Sequence, residues 1–206
     1  MKKISESTIR RLSRYYRSLE HLISKGTETV SSDQLAEIDG ITSAQVRKDL
    51  SFFGTFGTRG LGYNTKTLKN QIGEILGLNK PWRVVIVGAG NIGRALVNYE
   101  EFEKQGFRVC LILDTDPEKI GNNIHGLKVQ DIKQIDELTG KGKTDIAVLA
   151  VPAHAAQRVA DMIVNAGIRA ILNFAPVSLK VPDHVQVKNE NTAIEIEALS
   201  YYLANS

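Results

Sequence analysis

The 206-residue chain has a single cysteine, Cys110, which rules out an internal disulfide framework and any zinc cluster built on several thiolates. Its surroundings, Val109-Cys110-Leu111-Ile112, read as a buried strand, so the thiol is expected in the core. No stretch approaches 18 consecutive apolar residues, and the opening MKKISESTIRRL is basic with no apolar segment behind it. Neither a membrane span nor a secretory signal is therefore expected, and the chain is expected in the cytoplasm. Prolines number only 5 against 17 glycines, and 24% charged with 42% hydrophobic residues is the balance of an ordinary folded chain. Such a length supports one or two domains.

The net charge is only +3, but it is unevenly spread about Pro81. Residues 1–80 carry 13 Lys and Arg against 8 Asp and Glu, whereas residues 81–206 carry 13 against 15. A basic head joined to a mildly acidic second module points to a polyanion partner for the first part only.

Within the basic head, Ile9, Leu12, Tyr16, Leu19 and Ile23 recur every three or four positions between Thr8 and Lys25, which predicts an amphipathic helix closed by Gly26. Arg10, Arg14 and Arg17 fall on another stripe, either a solvated face or a set of phosphate contacts. Ser31 or Ser32 caps a short second helix carrying Leu35, Ala36 and Ile38, ended by Asp39-Gly40. Thr42 caps a third helix, whose Val46, Leu50 and Phe53 turn inward while Ala44, Arg47, Lys48 and Ser51 face out. A short helix, a tight turn and a helix with a small, basic outer face form the helix-turn-helix pattern, whose second helix enters the major groove of DNA. After it, Gly54 to Tyr63 places four glycines around Arg59, which reads as a β-hairpin wing whose arginine suits a narrow minor groove. A last helix over Thr67–Leu78, with Leu68, Ile72, Ile75 and Leu76 inward, stops at Asn79-Lys80-Pro81, the predicted boundary.

Beyond Pro81, the β-branched run Val84-Val85-Ile86-Val87 reads as a central parallel strand buried on both faces. It leads into Gly88-Ala89-Gly90-Asn91-Ile92-Gly93 and a helix predicted to run to about Gln105. Glycines at that spacing between strand and helix allow a tight turn, approach of a pyrophosphate to the backbone, and close helix packing. The second strand, Arg108–Leu113, ends at Asp114, 21 residues after Gly93, where a carboxylate binds ribose hydroxyls and repels a 2′-phosphate; NAD(H) is expected over NADP(H). Asp116 reads as a turn residue.

Strands at Leu127–Val129, Ile146–Ala150, Ala170–Leu172 and around Val185 and Val187 alternate with helices near Ile132–Leu138 and Ala153–Ala166, the order of a doubly wound parallel sheet. Loops at the carboxyl ends of its strands, Val151-Pro152-Ala153-His154 and Asn173-Phe174-Ala175-Pro176, are expected to flank the nicotinamide half. Thr192 is read as the cap of a final helix carrying Ile194, Ile196, Leu199, Tyr202 and Leu203, which packs on its own domain or is exchanged with a partner; spacing favours the former. The histidines give no obvious proton donor: only His154, of four, stands in a ligand loop, at a helix start where capping or solvation also explains it. With about 125 residues after Pro81 spent on the nucleotide fold, no substrate domain is left.

Taken together, Ser31-Ser32-Asp33-Gln34-Leu35-Ala36, the run from Gln45 to Gly54, Gly57-Thr58-Arg59-Gly60-Leu61-Gly62-Tyr63, Gly88-Ala89-Gly90, Asp114 and Leu172-Asn173-Phe174-Ala175-Pro176 resemble the redox-sensing transcriptional repressors called Rex, over essentially the whole chain. The resemblance implies a non-enzymatic homodimer that binds a palindromic operator when NADH is scarce and leaves it when NADH rises. It implies a winged-helix DNA-binding domain over 1–80, a Rossmann NAD(H)-binding domain over 81–190, and a helix over 191–206 exchanged between subunits, against the spacing-based preference. Candidate DNA contacts are Arg10, Thr42, Ser43, Gln45, Arg47, Lys48, Ser51, Arg59 and Gly60. Candidate cofactor contacts are Gly88 through Gly93, Asp114, Val151, Pro152, Asn173, Phe174, Ala175, Pro176 and Tyr99. In such repressors Arg17 and Tyr99 join a switch network in which many relatives have an aspartate where this chain has Asn191; an asparagine forms no ion pair with Arg17. The competing classes are a small NAD-dependent oxidoreductase and an NAD- or CoA-binding module without DNA activity.

Overall fold

In the computed structural model, which describes residues 4–58, 60–140 and 143–205, the chain divides into two units, Met1–Lys80 and Pro81–Ser206. The first begins with α1 (Glu6–Ser24), capped by the Ser5 hydroxyl, which accepts the Thr8 N–H. Leu12, Tyr15 and Leu19, three and four apart, are its fully buried face. This corrects the predicted stripe: Tyr15 takes the interior place given to Tyr16, which is only partly buried, and Ile9 is exposed. The reason is polar, because the Tyr15 hydroxyl donates to a buried carboxylate that the apolar pattern does not register.

Ser31, rather than Ser32, caps α2 (Ser32–Asp39) through a reciprocal capping box with Gln34. Gly40 ends it at φ 65°, and the Ile41 N–H reaches back to Ala36 O, which closes the turn into α3 (Ser43–Ser51), capped by Thr42. Strand β1 (Thr29–Val30) pairs antiparallel with β2 (Tyr63–Asn64), and a bridge Thr58↔Gly62 closes the wing between α3 and β2. Helix α4 (Thr65–Leu76) then buries Leu68 and Ile72 against Leu12, Leu19, Leu35, Val46 and Leu50.

In the second unit, seven strands stand in the order β5-β6-β4-β3-β7-β8-β9. Here β3 is Trp82–Val87, β4 Phe107–Asp114, β5 Asn123–Ile124, β6 Leu127–Asp131, β7 Ile146–Leu149, β8 Ala170–Asn173 and β9 Gln186–Asn189. All neighbouring pairs are parallel except β5 with β6. Along β3, Val85 and Val87 enter one core with Leu111, Leu113, Leu149 and Ile163, while Val84 and Ile86 enter the other with Ile112, Val129 and Val148. A strand so placed has two apolar faces, hence the unbroken β-branched run. Since the chain winds from β3 to β4 on one side and later to β7 on the other, the crevice for a ligand opens at the carboxyl end of β3.

The β3/β4 register slips between Val84↔Val109 and Val85↔Leu111, which leaves Cys110 as the extra residue of a bulge. Contrary to expectation, the thiol is therefore exposed, its Sγ donating to Val84 O at 3.4 Å. The helix predicted from the glycine loop to Gln105 is two helices, α5 (Asn91–Val97) and α6 (Glu100–Lys104), parted at Asn98-Tyr99. After β6, a 3-10 turn (Ile132–Gln134) leads into α7 (Ile135–Thr139), and α8 (Ala153–Asn165) buries Ala156, Val159, Ala160 and Ile163.

Helix α9 (Thr192–Ala204) is capped by Asn191, not Thr192, because the Asn191 Oδ1 reaches the Ala193 N–H. It buries none of its residues; Ile194, Ile196, Leu199, Tyr201, Tyr202 and Leu203 are all more than half exposed, which overturns packing on its own domain. Among the described residues no helix is long and apolar enough to cross a membrane.

Candidate nucleotide cleft and nucleic-acid interface

The switch-point crevice is a cleft of about 670 Å³. Its floor is the turn after β3, where Gly88 has φ +107° and a Cβ there would lie 2.2 Å from Ala150 O, so the turn requires glycine. A Cβ on Gly93 would sit 1.9 Å from Gly88 O, which is how α5 packs so close behind the turn. Gly90 differs: a Cβ there meets nothing within 4 Å and projects into free space. Among the described residues no side chain caps α5. A bare turn with room over Gly90 and an uncapped helix start is the cradle a pyrophosphate needs, so the residues present fit a dinucleotide.

Asp114 closes one end of the cleft. Its Oδ2 accepts the Ala89 N–H at 2.7 Å, and its Oδ1 accepts the N–H groups of Thr115 at 2.8 Å and Asp116 at 2.9 Å. Lys119 adds its ammonium to Oδ2 at 3.3 Å and lies 3.4 Å from an oxygen of Asp116. Burial alone would push the Asp114 carboxyl up; the N–H groups of Asp116 and Ala89, together with Lys119, outweigh it and hold the group below the usual carboxylate range.

The opposite end is apolar, lined by Val151, Pro152, Phe174 and Pro176 with His154 beside them. Gly88, Gly90, Asn91, Ile92 and Asp114 complete the expected residues that the fold brings to the cleft. Four others stand behind its wall: Ala89 and Gly93 are buried, and Asn173 and Ala175 form a fully hydrogen-bonded corner. Asn173, with no exposed surface, donates to Val177 O and Asn189 Oδ1, both at 2.9 Å, and accepts the Ala175 N–H at 3.0 Å; it shapes the loop that presents Phe174. Tyr99 is half exposed before α6, stacked edge-on to Phe102, outside the cleft. Sequence reasoning passed over Thr115 and Lys119 and took Asp116 for a turn residue, though all three line the cleft. The clue available was a lysine five positions beyond the carboxylate that ends β4.

In the first unit α3 presents Arg47, Lys48 and Ser51 outward, all exposed. Arg47 donates to Ser32 Oγ at 2.8 Å, which extends its guanidinium along the junction of α2 and α3. Ser51 returns its hydroxyl to Lys48 O, and Thr42 is used as the cap with Ser43 beside it. Gln45 points the other way, donating to Asp49 Oδ1 at 2.8 Å. Arg10 is exposed and ion-paired with Glu6 at 3.3 Å, Gly60 is exposed in the wing, and Arg59 lies outside the described residues.

Beneath α3 lies what the apolar pattern could not reveal. Asp49 has no exposed surface, yet it receives Arg11, Tyr15 and Gln45, which come from α1 and from the preceding turn of α3. Burial would raise its pKa, but those hydrogen bonds prevail and keep the carboxylate charged, while burial and the Asp49 charge lift the Tyr15 phenol far above its usual range. A reading helix seated on a satisfied buried charge is held in one rotational setting.

Two family models match the chain, one described as a CoA binding domain over residues 79–177 and one as a putative DNA-binding protein N-terminus over residues 3–51. The redox-sensing transcriptional repressor Rex of Pelotomaculum thermopropionicum is 50% identical over 98% of this chain and 94% of its own. Its namesake in Clostridium beijerinckii is 44% identical over 100% of this chain and 97% of its own. Among solved structures, the repressor RSP in complex with β-NAD+ and operator DNA is 42% identical, with a TM-score of 0.93 over 100% of this chain and 94% of its own. RSP in complex with β-NADH is 40% identical, with a TM-score of 0.89 over 100% of this chain and 96% of its own. On its glycine-floored cleft, its helix-turn-helix and these likenesses, the chain belongs to the Rex family of redox-sensing transcriptional repressors.

Proposed function

We propose that this protein is a cytoplasmic homodimer that occupies a palindromic operator when NADH is scarce and is released when NADH fills the cleft. The observation that carries this reading is that one chain holds both a seated, outward-facing basic helix and a dinucleotide cleft ending on Asp114. Arg47 and Lys48 read bases or phosphates from the major groove, with Ser51 beside them and the Thr42 and Ser43 end of α3 near the backbone. Arg10 contributes to the phosphate contacts.

Asp114 takes the adenosine ribose and the Gly88–Gly90 turn holds the pyrophosphate. Val151, Pro152, Phe174 and Pro176 surround the nicotinamide. Those four side chains carry no charge, which favours the neutral dihydronicotinamide over the cationic oxidised ring. The solved relative bound to NAD+ and operator DNA and the one bound to NADH support the same pair of ligands here. Helix α9 supports the dimer: six large apolar side chains on a helix with no buried residue need a partner, and exchange with a second copy supplies one. Closure of two such subunits around NADH would shift the α3 helices from the spacing of about 34–36 Å that successive major grooves demand.

The deciding experiment is a gel shift on operator DNA with and without NADH, paired with NADH titrations in the absence and presence of saturating operator. Because coupling is reciprocal, operator should weaken NADH binding by the factor by which NADH weakens operator binding. Identical isotherms would sink the switch and leave two uncoupled sites.

A further inference from the structure

Asp114 already has a full complement of donors. A carboxylate offers about four lone-pair sites. The three backbone N–H groups of Ala89, Thr115 and Asp116 and the Lys119 ammonium fill them. A ribose diol that binds this carboxylate must displace one of the four. The backbone donors are fixed by the glycine turn and by the loop after β4, whereas Lys119 is a flexible side chain, 42% exposed, at the longest of the four distances. Lys119 is the donor that yields.

Lys119 also lines a second cavity of about 280 Å³, whose wall includes Ala89, Arg94, Asn122 and Asn123, and both Ala89 and Lys119 donate to Asp114 Oδ2. Among the described residues the Arg94 guanidinium has no acidic partner, and the wall presents two amide side chains besides it. Under the dinucleotide reading, a Lys119 displaced from Asp114 would turn toward this cavity and join Arg94 on its wall, next to the edge of the ribose that Asp114 holds. Around that edge two cations then balance Asp114 and Asp116, so the carboxylate does not act there as an uncompensated negative charge.

We propose that the Lys119–Arg94 cavity is an accepting site for a phosphate monoester next to the adenosine ribose, and that Lys119 is the residue that sets how strongly this repressor discriminates NADH from NADPH. The inference rests on the dinucleotide reading of the cleft. Under it, Asp114 selects the unphosphorylated ribose by geometry, while Lys119 and Arg94 moderate that selection. Removing either cation should sharpen the preference for NADH.

The test measures dissociation constants for NADH, NADPH, adenosine 5′-monophosphate and adenosine 2′,5′-bisphosphate on the full-length protein, its Lys119→Met, Lys119→Arg and Arg94→Gln variants. The first and last substitutions should raise the preference for NADH over NADPH, and for monophosphate over bisphosphate, about tenfold or more. Lys119→Arg should restore it to near the parent value. Ratios unchanged in both Lys119→Met and Arg94→Gln, with all four proteins binding NADH, would overturn the proposal. Inorganic phosphate separates the two sources of the group. Phosphate that tightens NADH binding in the parent and not in Arg94→Gln places a free anion in the cavity; phosphate that only competes with NADPH ties the site to the 2′-phosphate. If the parent protein bound neither dinucleotide, the failure would lie with the dinucleotide reading itself, and a bisphosphate that bound no better to the parent than to Lys119→Met would sink the cavity site as well.

Discussion

Asp49 in the reading head and Asp114 in the cleft are both carboxylates held below the usual range against the pull of burial, and they are held by different means. The donors to Asp49 include Arg11 and Tyr15, side chains more than thirty residues away, and together they leave it no exposed surface. Those of Asp114 are mostly backbone N–H groups from two adjoining turns, and one face still looks into the cleft. The first carboxylate is consumed by the fold. The second is pre-charged by the fold and still lines the cleft, which is the difference between an anchor and a residue placed where the proposed ligand would meet it.

The sharpest way to break this comparison is to remove each charge. Asp49→Ala strands Arg11 and the Tyr15 hydroxyl beneath α3, and losing one partner of a buried, hydrogen-bonded charge costs about 3–5 kcal/mol. Urea unfolding monitored by helical circular dichroism should register that loss, with operator binding weakened in step. Asp114→Ala frees three backbone N–H groups beside an open cleft, where water can take them up, so it should cost less stability than Asp49→Ala and lose mainly NADH affinity. Equal destabilisation by the two variants would mean that Asp114 too is an anchor.

Next in size is a contrast between two glycines two residues apart in one turn. Gly88→Ala forces a Cβ to within 2.2 Å of Ala150 O at φ +107°, so it should damage folding and binding together. Gly90→Ala meets nothing within 4 Å and needs no unusual backbone, so thermal stability should hold while the new methyl invades the space of the pyrophosphate. NADH affinity should then fall by about 1–3 kcal/mol, the usual scale of overpacking. Calorimetric binding beside a melting curve reads both quantities, and a Gly90→Ala protein that bound NADH normally would move the pyrophosphate elsewhere.

The same comparison explains what the sequence made legible. The cleft rests on local signals: a β-branched strand, glycines at fixed spacing and a carboxylate 21 residues on, each written into a short window. The seat of α3 depends on Arg11 meeting Asp49 across 38 residues, and nothing in either window announces the other. The apolar neighbours of Cys110 do not announce the bulge that leaves it unpaired and its thiol at the surface, and Asn98-Tyr99 breaks the helix after Gly93 with neither proline nor glycine to mark the end. The apolar surround of α9 was plain, but whether its own chain or another covers it is not a property of spacing.

Smaller effects belong to the exposed face of α3, whose side chains hold no core. Arg47→Ala gives up one hydrogen bond to Ser32 and should leave the unfolding curve almost unchanged. Its cost falls on DNA, about 1–3 kcal/mol if the guanidinium reads a guanine, with relaxed discrimination at that base pair. Lys48→Ala should weaken all operators alike and reduce the salt dependence by about one phosphate contact. Gel shifts across single-base operator variants at two salt concentrations tell these roles apart; a uniform loss for Arg47→Ala would make it a phosphate contact.

The smallest expected effect concerns a third carboxylate, Asp39 at the end of α2, which sharpens the contrast because its shift has the opposite sign. Burial raises its pKa, only partly offset by Arg14 at 4.0 Å and by the Ser18 hydroxyl. Stability contributed by Asp49, whose folded value lies below its unfolded one, is complete above the unfolded value of ~3.9 and is lost as pH falls through the folded value. For Asp39 the stability conferred by the protonated form is complete below the unfolded value and is gone once pH has risen through the folded value. At neutral pH the charged Asp39 therefore opposes folding. Asp39→Asn keeps an acceptor for Ser18 and should stabilise the protein at pH 7 by about 1 kcal/mol or less. The gain should vanish near pH 3, where the parent carboxyl is protonated. Unfolding curves of parent and variant at pH 7, 5 and 3 would record a difference that shrinks with acid; a variant less stable at pH 7 would show that the pairing with Arg14 outweighs the burial of Asp39.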